Sequence, residues 1–120
     1  MTARIVRFQV PDPPRDDAQI QDEFDDLVTR ACAGDRIALT ALAVAFSARL
    51  LREARLELGH FKEDAEDVLK DFFLSVMEGG ARFDPKRERA RVWIARQVRE
   101  IARRHRAERE RERGVAARRG

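Results

Sequence analysis

Apolar residues recur along most of this chain at helical spacing. From Gln19 onward, Ile20, Phe24, Leu27, Val28 and Ala31 share one helical face, and Gly34 follows as a C-terminal stop. Asp35 is placed to cap a second helix, whose stripe of Leu39, Leu42, Phe46, Leu50, Ala54 and Leu58 runs unbroken to Gly59. The pattern predicts a third helix from near Lys62. Its first turns carry Glu63, Asp64, Glu66 and Asp67, where carboxylates interact favourably with the macrodipole and exposed N–H groups. Ala65, Val68, Leu69, Phe72, Phe73, Val76 and Met77 form its core stripe, and Gly79-Gly80 ends it. Asp84 followed by Pro85 is a cap and first-turn pair for a fourth helix, with Trp93, Ile94, Val98, Ile101 and Ala102 as its apolar face.

These elements define an all-α chain, a compact bundle of about four helices, because no useful strand pattern appears outside the first residues. Residues 1–18, with Pro11, Pro13 and Pro14, read as a flexible arm with a brief extended piece at Ile5 to Val10. Residues 19–107 form the helical domain, and 108–120 a charged tail. In that tail Arg104 to Glu108 and Glu108 to Arg111 are spaced for attraction, whereas Glu108 and Glu112 repel, so fraying is expected.

Composition adds little until charge is divided along the chain. At 120 residues there is room for one modest core. No apolar run is long enough for a membrane span, and the start lacks the apolar stretch of a signal peptide, which makes the cytoplasm the default compartment. Net charge is +3. Residues 1–81, however, hold ten basic and sixteen acidic side chains, whereas residues 82–120 hold fifteen and six. An acidic body joined to a basic C-terminal third points to two partners of opposite charge, the second a polyanion.

Catalytic signatures are missing from the sequence. It has no glycine-rich phosphate loop, no metal-ligand spacing of Cys and His, and no nucleophile with a base in suitable context, so no enzymatic activity and no cofactor is expected. His60, beside Glu63 and Asp64, fits a helix-capping turn better than a metal cluster. Cys32, the single cysteine, fits a packed small side chain whose acidic neighbourhood disfavours the thiolate. Two surfaces stand out instead. Glu63, Asp67, Lys70, Asp71 and Leu74 lie on successive turns of the third helix, away from part of its core stripe. Lys86, Arg87, Arg89, Arg91, Arg96, Arg99, Arg103, Arg104 and Arg106 give the loop and fourth helix a one-signed cover, and guanidinium forks match phosphate geometry.

The order DDLVTRACAGDRIAL, LLREARLELG, EDAEDVLKDFFLSVM and RFDPKRERARVWIARQVREIARRHR resembles region two of bacterial RNA polymerase sigma factors, over roughly residues 25–106. The nearest group is the small extracytoplasmic-function sigma factors. The resemblance implies that the third helix grips a coiled coil on the large catalytic subunit of core RNA polymerase, through Asp64, Asp67, Lys70, Asp71 and Leu74. It also implies that the segment from Phe83 to Arg106 engages the non-template strand of the melted minus-ten element of promoter DNA. This chain departs from the family at Lys70, where Gln is usual, at Glu88-Arg89-Ala90, where Gly-Ser-Phe is common, and at Glu100 and Arg104, where Asn and Asp are typical. The sequence ends near where a linker to region four would begin, so that function is expected from a separate region-four protein, with an anti-sigma protein as another expected partner. An interaction protein that binds polymerase or an anti-sigma protein without reading promoters, and a non-specific nucleic-acid-binding bundle, remain open.

Overall fold

The computed structural model describes residues 16–119; the arm expected at residues 1–18 falls largely outside them, and its last two residues, Asp17 and Ala18, belong instead to the first helix, which Asp16 caps. Helix α1 spans Asp17–Cys32, α2 Arg36–Leu58, α3 Ala65–Met77 and α4 Ala90–Arg119, with a 3-10 turn over Gly59–Asp64 between α2 and α3. No strand occurs among the described residues. The chain is an all-α bundle, as its periodicity predicts.

Local chemistry explains the first boundaries. Asp16 and Gln19 form a reciprocal capping box, the carboxylate accepting the Gln19 N–H at 2.8 Å while the Gln19 side chain accepts the Asp16 N–H at 3.2 Å. Gly34 takes φ of 100°, a conformation costly for a residue with a Cβ, and this turns the chain from α1 into α2. The Asp35 carboxylate then accepts the N–H groups of Ile37 and Ala38 at 3.0 and 3.1 Å.

Helix α2 is the central strut and packs against α1, α3 and α4. Val28, Leu42, Leu58, Val68, Phe72, Val76 and Val98 are fully buried where these helices meet. The stripe predicted for α4 is entirely buried, and Trp93 lies 5.3 Å from Phe83 and 6.1 Å from Phe72, ring to ring. Such tilted aromatic packing anchors the loop before α4 to the core. Ile20 and Met77, at the ends of their predicted stripes, are half exposed because no element covers them.

Two predicted helix starts shift. The third helix begins at Ala65, not near Lys62, because the chain leaves α2 through a 3-10 turn in which Phe61 has non-helical dihedrals. The fourth begins at Ala90 rather than at Asp84-Pro85. Asp84 does accept the Lys86 N–H at 2.9 Å, and its carbonyl accepts that of Arg87, but the turn closes on itself. At the other end, α4 continues to Arg119 where fraying was expected from residue 108. Ion pairs Arg106–Glu110 and Arg111–Glu108 line that last stretch at 3.3 and 3.1 Å.

Candidate protein- and nucleic-acid-binding surfaces

The acidic surface is a groove between α3 and the middle of α4. Asp64, Asp67 and Asp71 line one wall of a cavity of about 650 Å³, and Gln97, Ile101, Arg104, His105 and Arg109 line the other. Glu108 and Glu112 add carboxylates on the α4 side, and two of the three aspartates on the facing wall are already matched across the groove. Asp71 meets His105 Nε2 at 2.7 Å, and the nearly buried Asp64 meets Arg109 at 3.3 Å. Asp67 is exposed and has no ion pair among the described residues. Lys70 and Leu74 are exposed on the same helix but do not line the cavity. Arg109, absent from the sequence-based candidates, also stacks 5.2 Å over the Phe61 ring, so the 3-10 turn and α4 are held by charge and by cation–π contact together. The Glu108/Arg109 alternation masked it, since spacing alone does not say which Arg of a charged helix faces a neighbour.

The basic surface divides into cations held by the fold and cations that point outward. Arg89 reaches back to α1 and donates to Asp22 at 2.7 Å and to Asp25 at 2.9 Å. The hydrogen bond to Asp22, then that to Asp25, raises its pKa beyond the ordinary arginine value. Arg96 is bonded to Glu88 and also neighbours Glu100, and the Glu88 bond likewise strengthens its hold on the proton. Arg99 pairs with Glu53 at 2.8 Å and Arg103 with Glu57 at 3.2 Å, joining α4 to α2 like a zipper. Arg106 donates to the Glu57 carbonyl at 3.3 Å and pairs with Glu110.

Four of the nine sequence candidates remain for a partner. Lys86, Arg91 and Arg104 are exposed and have no ion pair among the described residues. Arg87, with its side chain 86% exposed, has only a loose contact to Asp84 at 3.7 Å. Arg91 shares a cleft of about 370 Å³ with Arg49 and Arg52 of α2, floored by Phe24 and Phe46, whose rings stand 4.4 Å apart. Arg49 and Arg52 were not among the candidates. They follow Phe46 by three and six residues, a spacing that places cations beside a stripe residue, yet only the fold brings Arg91 to them.

The loop that presents Lys86 and Arg87 is fixed by a residue the sequence reading passed over. Asp25 of α1 is 8% exposed, and its Oδ1 accepts the Ala90 N–H at 2.7 Å while Oδ2 takes Arg89. Arg89 is the capping residue of α4, its carbonyl accepting from Val92 and Trp93. A signal was present: Asp25 precedes Val28 and Ala31 by three and six residues, so it lies along the buried stripe, where a carboxylate requires an internal partner.

The acidic α3 surface and the basic loop before α4 lie on one helical bundle, and the comparison of families says what that bundle is. The family model for sigma-70 region 2 matches residues 42–112. The chain belongs to the sigma-70 region 2 family. No curated protein and no solved structure matches it. The matched stretch of this sigma region 2 domain runs from within α2 through α3 and the loop into α4, and so contains both surfaces. Membership supports a sigma-like role in polymerase binding and promoter opening. The anchor for the loop, Asp22 and Asp25 on α1, lies outside the matched stretch. No described helix is long and apolar enough to cross a membrane.

Proposed function

We propose that this sigma region 2 domain acts as a transcription initiation factor in the cytoplasm, binding core RNA polymerase through α3 and holding the displaced strand of a melted minus-ten element on the loop and α4. Upstream promoter contact is left to a region-four domain, and the chain itself catalyses no reaction. The observation that carries this reading is the segregation of charge within the matched stretch. Asp67 projects from α3 free of any described ion pair, whereas Lys86, Arg87 and Arg91 cluster at the opening of α4. A carboxylate face suits an arginine-bearing coiled coil, and an exposed cationic loop beside aromatic rings suits single-stranded DNA.

A second reading is supported by the ion pairs. Five of the nine candidate cations, Arg89, Arg96, Arg99, Arg103 and Arg106, are held by the protein's own carboxylates. A chain that retained the polymerase surface while turning its arginines inward would serve as a polymerase- or anti-sigma-binding regulator without promoter recognition. Permanganate footprinting on a promoter, with core polymerase plus this protein, separates the two. Reactive thymines in the minus-ten element support the initiation factor. Polymerase binding without strand opening, even when a region-four chain is added, supports the regulator.

A further inference from the structure

Helix α2 is apolar on two faces, and the bundle uses only one. Ala38, Leu42, Leu50, Ala54 and Leu58 are buried. On the opposite side Ile37, Ala41, Val44 and Ala48 recur at intervals of four, three and four, and all are exposed, Ile37 by 82% and Val44 by 81%. The half-buried Leu51 continues the series. This is the spacing of a coiled-coil seam. Arg36 stands at one end of the stripe and Arg52 and Arg55 at the other, none with an ion pair among the described residues. The carboxylates of α2, Glu53 and Glu57, are turned away to Arg99 and Arg103 of α4. The outer face is therefore apolar along its centre and cationic at its ends, with no acidic side chain of its own helix.

We propose that the outer face of α2 docks an acidic amphipathic helix of another protein, laid along Ile37, Ala41, Val44 and Ala48 with its carboxylates against Arg52 and Arg55. This surface is separate from the α3–α4 groove, and it meets the cleft of Arg91 only at Arg52. The chemistry selects that occupant over the others. A second copy packed on the same face would oppose arginine with arginine. Residues 1–15 of this chain carry Arg4, Arg7 and Arg15 against the single acid Asp12, and so have the wrong sign. A membrane-lying helix presents a broad face rich in bulky and aromatic side chains, whereas two of the four seam residues here are alanines, which let a partner helix approach closely.

The test uses two synthetic three-heptad helical peptides with leucine at the seam positions, one flanked by glutamates and the other by lysines, titrated against the full chain. The acidic peptide is expected to bind, to weaken by about tenfold or more with Ile37→Ser and Val44→Ser together, and to lose salt dependence with Arg52→Gln and Arg55→Gln. All four positions are exposed or on the surface of α2, and unchanged far-ultraviolet circular dichroism confirms folding. The isolated polymerase coiled coil should leave the bound peptide in place. No binding of the acidic peptide by the wild-type chain overturns the proposal, as do equal binding of the basic peptide and displacement by the coiled coil. Self-association or adhesion to phosphatidylserine vesicles that Val44→Ser abolishes likewise overturns it, in favour of a second copy or a lipid surface. None of these results depends on whether the chain opens promoters.

Discussion

The Asp25 carboxylate accepts the backbone N–H of Ala90 at 2.7 Å, so a side chain on α1 sets the first residue of a helix that begins sixty-five positions later. The same carboxylate holds Arg89, the residue before it. Losing both bonds strands a buried N–H and frees the loop from the bundle. Asp25→Ala should therefore destabilise the fold by about 2 kcal/mol. Asp25→Asn, which keeps an acceptor for Ala90 but loses the charge that attracts Arg89, should cost roughly half as much. Urea unfolding of both variants checks the order. Equal stability of Asp25→Ala and wild type would mean that α4 starts at Ala90 without help from α1.

That relationship marks where the sequence was legible and where it was not. The stripes that bury Val28, Leu42, Leu58, Phe72 and Val98 follow from spacing alone, because each helix must hide one face. The cap at Asp35 is also local, satisfied within three residues, whereas the equally local capping box of Asp16 and Gln19 is hidden because Asp16 follows the proline-rich stretch and reads as part of the arm. Asp84-Pro85 has the same local signature as a helix start, yet the helix begins at Ala90 because the deciding acceptor is remote. The arginine cover of α4 was visible as charge. Which of those arginines face Glu53 and Glu57, and which face water, depends on how α2 and α4 are rotated against each other, and no spacing within α4 encodes that.

The division of the cations can be tested with DNA. Lys86→Ala, Arg87→Ala and Arg91→Ala should each weaken binding to single-stranded DNA and reduce the salt slope by about 0.7, the value for one lost phosphate contact on a single strand. Arg99→Ala and Arg103→Ala should change that slope little, because those side chains are engaged with Glu53 and Glu57. Fluorescence anisotropy over a range of salt concentrations reads both. Equal losses at all five positions would contradict the division.

For the zipper itself, a double-mutant cycle with Glu53→Gln and Arg99→Gln isolates the coupling. Both side chains are about one-third exposed, so solvent screens the pair and the coupling should be about 0.5 kcal/mol, weakening as salt is added. A coupling near zero at low salt would mean that this ion pair adds nothing to the α2–α4 contact.

Cys32 gives a test of packing around α1. Burial raises the pKa of its thiol, and a smaller opposing influence from a hydrogen bond to the Phe83 backbone does not cancel this. A raised pKa leaves less thiolate at neutral pH, and the thiolate is the reactive form. Alkylation by iodoacetamide should therefore be slower in the folded protein than in urea at the same pH, and should accelerate as pH rises. Equal rates in both states would place Cys32 in solvent.

Binding to core RNA polymerase tests the central claim most directly. Wild-type protein should co-elute with core enzyme in size-exclusion chromatography and bind the isolated large-subunit coiled coil. Asp67→Arg with Asp71→Arg should abolish both while leaving helicity unchanged, since it reverses charge on an exposed face and disturbs only the His105 pair. Failure of the wild-type chain to bind core enzyme, or undiminished binding by the double variant, would contradict the assignment of α3 as the polymerase-binding surface.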